Sequence, residues 1–169
     1  NNTVTINTSG LVGYWKLEEG SSTPIDYSGE GNDGTLGGGL DCSGDEGRFG
    51  DACEFDGDND YIAVSDIDFT DEMTGSIWVR FNNVTSQQML VSQSSSLEYQ
   101  LQMQGNTDNS EFRIRIDTAG GNGITDSTTQ AVVDTWYHVV WVYNSTDVII
   151  YINGVEESSD NTPSGNIDD

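Results

Sequence analysis

The chain has 169 residues, 34% of them hydrophobic, with 29 Asp and Glu against 5 Lys and Arg for a formal net charge of −24. That length suits one domain able to bury a core without a partner, and 5 Phe, 4 Trp and 7 Tyr separate it from a disordered acidic chain. A field of this sign repels phosphate backbones and anionic lipid, which argues against nucleic acid and acidic membrane surfaces as partners; acids spread from Glu18 to Asp169 would be screened in molar salt, where the Debye length is about 3 Å, so a high-salt habitat is expected.

Residues 1–10 are polar apart from Val4 and Ile6 and read as a linker end or edge strand, with the domain proper expected over residues 11–169. No signal peptide and no run of eighteen apolar residues is present, so the segment is expected to carry no membrane anchor of its own. The stretch "DYSGEGNDGTL", Asp26 to Leu36, sets Gly29, Gly31 and Gly34 among short polar residues. Glycine permits positive φ and close backbone approach, so such a run bends repeatedly. It describes either a plain turn or a loop curled round a hard cation such as Ca²⁺, which takes about six to eight oxygens from carboxylates, amides and carbonyls. Cys42 and Cys53 flank a segment without histidine, and two cysteines alone make no four-ligand zinc site, so a disulfide is favoured over two buried thiols. Such a bridge stabilises by about 3 kcal/mol through loop closure and belongs to an oxidising compartment.

Alternation with period two marks the half-buried strands that follow. Ile77, Val79 and Phe81 alternate with Trp78, Arg80 and Asn82; Leu97, Tyr99, Leu101 and Met103 with Glu98, Gln100 and Gln102; Phe112, Ile114 and Ile116 with Arg113 and Arg115. The segments "GNTDNS" and "DTAGGNGITDSTT" read as loops. "TWYHVVWVYN" and "DVIIYING" are apolar on both faces, as central strands are; Asn144 to Asp147 connects them, and Asn153-Gly154 predicts a two-residue turn before "VEES". No stretch has helical periodicity with caps, so the expected fold is all-β, an antiparallel two-sheet β-sandwich or jelly roll. Sequons of the form N-x-[ST] begin at Asn1, Asn7, Asn83 and Asn144; they agree with export, although so short a motif also arises by chance.

Taken in order, "GLVGYWKLEEG", "DYSGEGNDGTL", "GRFGDACEFDGDNDYIAV", "GSIWVRF", "WYHVVWVYN" with "VIIYINGVEESS", and "GNIDD" resemble the successive motifs of laminin-G-like, concanavalin A-like jelly-roll modules. The resemblance covers almost the whole chain from Gly10 onward. It implies a two-sheet sandwich used as a binding module in exported and surface proteins, with a carbohydrate or protein ligand and, in many members, a structural Ca²⁺ at the sandwich edge. On that resemblance the expected calcium site uses Asp26, Asn32, the Thr35 region and Asp168, the last from "GNIDD". In the family that segment runs on into a closing strand paired with the one matching "LVGYWKL". Here the chain stops at Asp169: either that strand was cut away or it belongs to a part beyond this sequence, and if absent it would leave an open edge where another chain or "TVTIN" could pair.

The same sandwich carries β-glucanases, whose acids lie in an E-x-D-x-E pattern. Glu54-Phe55-Asp56-Gly57-Asp58 is the nearest match, but its third acid is Asp, and Gly57 with Asn59 suggests a turn, so catalysis is not expected. "DGDND" opens like a calcium-hand loop, yet Tyr61 and Ile67 stand where that loop needs glycine and glutamate. His138 lies in an apolar strand with no G-x-S-x-G motif nearby and reads as a packed or hydrogen-bonded core residue. Trp15, Trp78 and Tyr151 would stack on sugar rings where exposed, although core packing is the commoner fate of strand aromatics. The expected function is a noncatalytic binding or adhesion module of an exported or cell-surface protein of a salt-loving microbe, part of a larger surface protein, with a cell-surface glycan or another protein as partner. The alternatives are a glycoside hydrolase or its accessory carbohydrate-binding domain, and a purely structural spacer.

Overall fold

A computed structural model of the chain describes residues 9–20, 23–43, 45–69, 71–93, 99–106 and 108–167. They form two compact units, one ending at Ile67 and the other beginning at Asp68. The expectations for "TVTIN", Leu97, Glu98 and Asp168 lie outside the described residues.

The first unit is made of short pairings. Strand β1 (Thr35–Gly37) runs antiparallel to β4 (Tyr61–Ala63), and β2 (Asp45–Glu46) to β3 (Asp51–Ala52). Single bridges join Trp15 to Asp26 and Gly20 to Cys42. Cys42 and Cys53 form the expected disulfide, and Cys42 is buried. With so few ladder bonds available, polar side chains and the disulfide hold this part of the chain in shape.

The second unit is the antiparallel two-sheet sandwich read from the alternation. One sheet has the order β12 (Val155–Asp160), β11 (Val148–Ile152), β10 (Trp136–Tyr143), β5 (Met73–Arg80). The other has β6 (Gln88–Ser92), β7 (Tyr99–Met103), β8 (Glu111–Thr118), β9 (Gly121–Gln130). Side chains on alternate positions of a strand share a face, and the inward rows are the apolar ones. Leu101, Met103, Phe112, Ile114, Ile116, Val139 and Ile150 are all fully buried between the sheets, each contributing about 1.5–3 kcal/mol of hydrophobic stabilisation. Phe112 of one sheet meets Tyr137 of the other with ring centroids 5.3 Å apart. The approach of Trp141 explains Gly75, since a Cβ there would fall 1.9 Å from the indole ring. At the Asn153-Gly154 turn both residues have positive φ, 53° and 82°, as the sequence predicts.

Three expectations need correction. "DTAGGNGITDSTT" is not a loop: Asp117 and Thr118 finish β8, and Gly121–Gln130 is a ten-residue strand paired to it. Its inward residues are Gly123, Thr125 and Ser127, too small or polar to register as an apolar row. Gly123 makes room for Val148 and Pro163, and the Ser127 hydroxyl accepts the Phe112 N–H. Secondly, "GLVGYWKLEEG" contributes only bridges in place of a strand, because its backbone is held by side chains of the loop that follows. Thirdly, His138 lies outside the core. It is half-buried on the outer face of β10, where its ring stacks on Trp78 at 4.9 Å and its Nε2 lies 2.8 Å from Ser76 Oγ.

The free side of β9 is satisfied across the sandwich by carboxylates of β12. Asp160 accepts the Ile124 N–H, and Glu157 accepts the N–H groups of Thr128 and Thr129 together with both hydroxyls. Burial pushes both carboxyls up, but these bonds outweigh it and hold Glu157 and Asp160 below the ordinary range, Asp160 with further help from the Thr162 hydroxyl and N–H. Unpaired edge groups invite another strand, and here side chains occupy them.

Candidate recognition site

The outer face of the β6–β9 sheet carries a row of glutamines, arginines and aspartates. Across it, register places Gln100 opposite Arg115 and Gln102 opposite Arg113, and Arg113 opposite Asp126. Alternation dictates this: the neighbours Leu101, Met103, Phe112, Ile114 and Ile116 point inward, so the glutamines and arginines must point out. Arg113 donates through Nε and Nη2 to the two oxygens of Asp126 at 2.6 and 2.7 Å, and Arg115 likewise to Asp117 at 2.7 and 2.8 Å. Gln104 adds a bond to Asp126 at 3.0 Å, and Gln87 donates to Gln102 at 2.6 Å. The bidentate partners raise both guanidinium pKa values, Asp126 acting on Arg113 and Asp117 on Arg115.

Two of the four arginines of a strongly acidic chain therefore sit side by side on one strand, each neutralised by its own aspartate. A guanidinium has five N–H donors, of which each pair here uses two. Arg113 and Arg115, with Gln100 and Gln102, line a depression of about 240 Å³ together with Ile124. Planar donors and acceptors fixed by bidentate pairs, in rows set by strand spacing, suit a ligand rich in hydroxyls; an apolar ligand would leave them unpaired. The sequence signal was present in Arg113 and Arg115 two residues apart opposite glutamines. Their partner Asp126 was hidden in the stretch read as a loop.

The loop expected to hold calcium is organised round the Asp26 carboxylate. The buried Asp26 carboxylate accepts four bonds: Oδ1 from the Tyr14 and Ser28 N–H groups, both at 2.9 Å, and Oδ2 from the Ser28 hydroxyl at 2.7 Å and the Asn32 N–H at 3.0 Å. Burial pushes this carboxyl up, but the bonds from Ser28, Tyr14 and Asn32 overcome it and lower its pKa to about 2. Asp33 in turn accepts the Asp26 N–H. Gly29 and Gly31, with φ of 99° and 81°, carry the chain round the carboxylate in a conformation costly for other residues.

Of the expected calcium ligands, the structure brings Asp26 and Asn32 together, but through the Asn32 backbone; the Asn32 amide turns away to donate to Val12 O at 2.8 Å. Thr35 is exposed at the start of β1, opposite Ala63, and Asp168 lies outside the described residues. Among the described residues no three of His, Cys, Asp and Glu gather as a metal site. A carboxylate has about four lone-pair positions, and all of those on Asp26 are taken by protein donors. As arranged, Asp26 is the hub of a turn.

The other candidates resolve individually. Trp15 is half-buried and donates its indole N–H to Asn32 O at 2.8 Å, so it pins the same loop. Tyr151 is half-buried with its hydroxyl on Glu156, while Trp78 is 38% exposed beside His138. Glu54 to Asp58 belong to no strand; Asp56 accepts the N–H groups of Asp58 and Asn59 in a turn, and these bonds, led by that of Asp58, lower its pKa.

The family model described as the concanavalin A-like lectin/glucanases superfamily matches residues 56–169. In fold the chain is similar to a crystal structure of an S-layer domain-containing protein, residues 221–444, from Clostridium thermocellum, with a TM-score of 0.50 and 20% identity over 90% of this chain and 73% of that one. None of the curated proteins compared matches it. The matched region includes the whole sandwich and its polar outer face, and the chain belongs to the concanavalin A-like lectin/glucanase superfamily.

Proposed function

We propose that the chain is a noncatalytic recognition module of an exported cell-surface protein and that it binds a hydroxyl-rich ligand, a surface glycan, on the outer face of β7, β8 and β9. One observation carries the reading: the row of Gln100, Gln102, Arg113 and Arg115 beside a depression of about 240 Å³, with both arginines locked by aspartates. Because each arginine is already paired, the face is close to neutral, so it favours neutral sugars over anionic ones. The surface setting draws support from the Cys42–Cys53 disulfide and from the S-layer protein that the chain resembles in fold.

The glucanase reading is the weaker one, since the acids nearest to its pattern, Glu54, Asp56 and Asp58, lie in a turn and a retaining pair needs two carboxyls about 5 to 5.5 Å apart across a sugar. Calcium enters only as a structural ion that would have to displace the Ser28 or Asn32 bond from Asp26. A screen of neutral and acidic glycans and envelope polysaccharides in high salt tests the proposal, run beside a reducing-sugar assay. Binding of a neutral glycan that Gln100→Ala with Gln102→Ala weakens about tenfold or more, at about 1 kcal/mol for each lost bond, supports it. Release of reducing sugar, or binding indifferent to both substitutions, contradicts it.

A further inference from the structure

Two of the four sequons fall among the described residues, and in both the asparagine Oδ1 accepts the N–H of the threonine two residues on. Asn83, in the loop after β5, is exposed, and its Oδ1 accepts the Thr85 N–H and the Thr85 hydroxyl, each at 2.8 Å. Asn144, in the hairpin between β10 and β11, is also exposed. Its Oδ1 accepts the Thr146 N–H at 3.2 Å, the Asp147 N–H at 2.9 Å and, at 2.9 Å, lies within reach of the Thr146 hydroxyl. In each case the amide is anchored by its oxygen, and its nitrogen donates to no described group. The motif requires only that asparagine and threonine lie two apart; the fold has already put them in contact.

We propose that Asn83 is a site of N-linked glycosylation, and that Asn144 is a weaker second site. In the transfer step Nδ2 attacks the anomeric carbon of an oligosaccharide carried on a lipid phosphate or diphosphate. An N–C bond forms, the C–O bond to phosphate breaks, the lipid phosphate leaves with the electron pair, and the proton lost from nitrogen passes to a base of the transferase. Anchoring by the +2 residue fixes where the nitrogen points, so the acceptor is presented without further ordering of the loop.

The order of the two sites follows from the hydroxyl proton. Among the described residues the Thr85 hydroxyl has only Asn83 as acceptor, whereas the Thr146 hydroxyl also lies 2.6 Å from Asp147 Oδ2. A hydroxyl donates one proton, and the closer, charged acceptor takes it. Asn144 therefore lacks the hydroxyl bond that Asn83 keeps. Asn106 and Asn109 form similar turns with Asp108 and Glu111 at the +2 position, without a hydroxyl, and serve as internal controls.

The test is glycopeptide mapping of the full chain recovered from the cells that produce it. A sugar adduct is expected on Asn83, with occupancy roughly threefold or more above that on Asn144 and none on Asn106 or Asn109. Thr85→Ala should abolish the Asn83 adduct and Thr85→Ser should retain it; both replace an exposed side chain. An unmodified Asn83 in the native protein, an adduct that survives Thr85→Ala, or Asn144 occupied above Asn83 overturns the assignment. These outcomes are independent of glycan binding on the β7–β9 face, which is measured on unglycosylated protein.

Discussion

Replacing Asp26 with asparagine keeps the shape of the side chain and removes the charge on which four donors converge. The folded protein holds this carboxyl at about 2 against an ordinary 3.8, a difference worth about 2 kcal/mol at roughly 1.4 kcal/mol per pH unit. Because the folded-state pKa is the lower one, the contribution is complete above the unfolded value near pH 4 and disappears as pH falls through about 2. Asparagine also turns an amide N–H₂ toward the Asn32 N–H, two donors face to face, which adds to the cost at neutral pH. At about 2–4 °C per kcal/mol for a chain of this size, Asp26→Asn should melt about 4–8 °C below the parent at pH 7. The gap should narrow toward pH 2. Melts followed by circular dichroism from pH 7 to pH 2, in concentrated salt to suppress differences in net charge, measure it. A gap absent at pH 7, or one of constant size down to pH 2, would refute the account of this loop.

Glu157→Ala removes the acceptor of the Thr128 and Thr129 N–H groups and should cost about 2 kcal/mol, read as a drop in melting temperature; it should also speed hydrogen exchange at both amides. Since the Glu157 and Asp160 carboxyls are held below their ordinary range, acid should loosen the β9 edge as they protonate, with protection of Ile124 and Thr129 lost on descending pH. Melting temperature should climb with NaCl or KCl into the molar range, given the net charge of −24, and a flat curve would remove the high-salt habitat. If the internal donors on Asp26 suffice, chelation at fixed ionic strength leaves the melting temperature unchanged; a rise of several degrees with Ca²⁺ would support the calcium expectation.

The sandwich strands legible in the sequence were those whose inward rows are large and apolar, as with Phe112, Ile114 and Ile116 in β8 or Tyr137, Val139 and Trp141 in β10. Strand β9 was not, because Gly123, Thr125 and Ser127 face inward and its edge is satisfied by Asp160 and Glu157, about thirty residues away in sequence. Asp26 was singled out as a calcium ligand, and residue types do not say whether N–H groups or a cation will fill a carboxylate. Here backbone from Tyr14, Ser28 and Asn32 does so. The proposed recognition face was half visible: the arginines and glutamines showed in the alternation, whereas Asp126 required the pairing of β8 with β9.

The central claim is that a neutral glycan binds on the outer face of the β6–β9 sheet, and the most direct measurement maps amide and side-chain NMR shifts during titration with the strongest neutral oligosaccharide from the screen. Shifts should concentrate on Gln100, Gln102, Arg113, Arg115 and Ile124, the residues lining the depression, and should vanish in the Arg113→Ala variant at the same sugar concentration. Shifts confined to other parts of the chain, such as Asp26 to Leu36, or undiminished in that variant, would contradict the account.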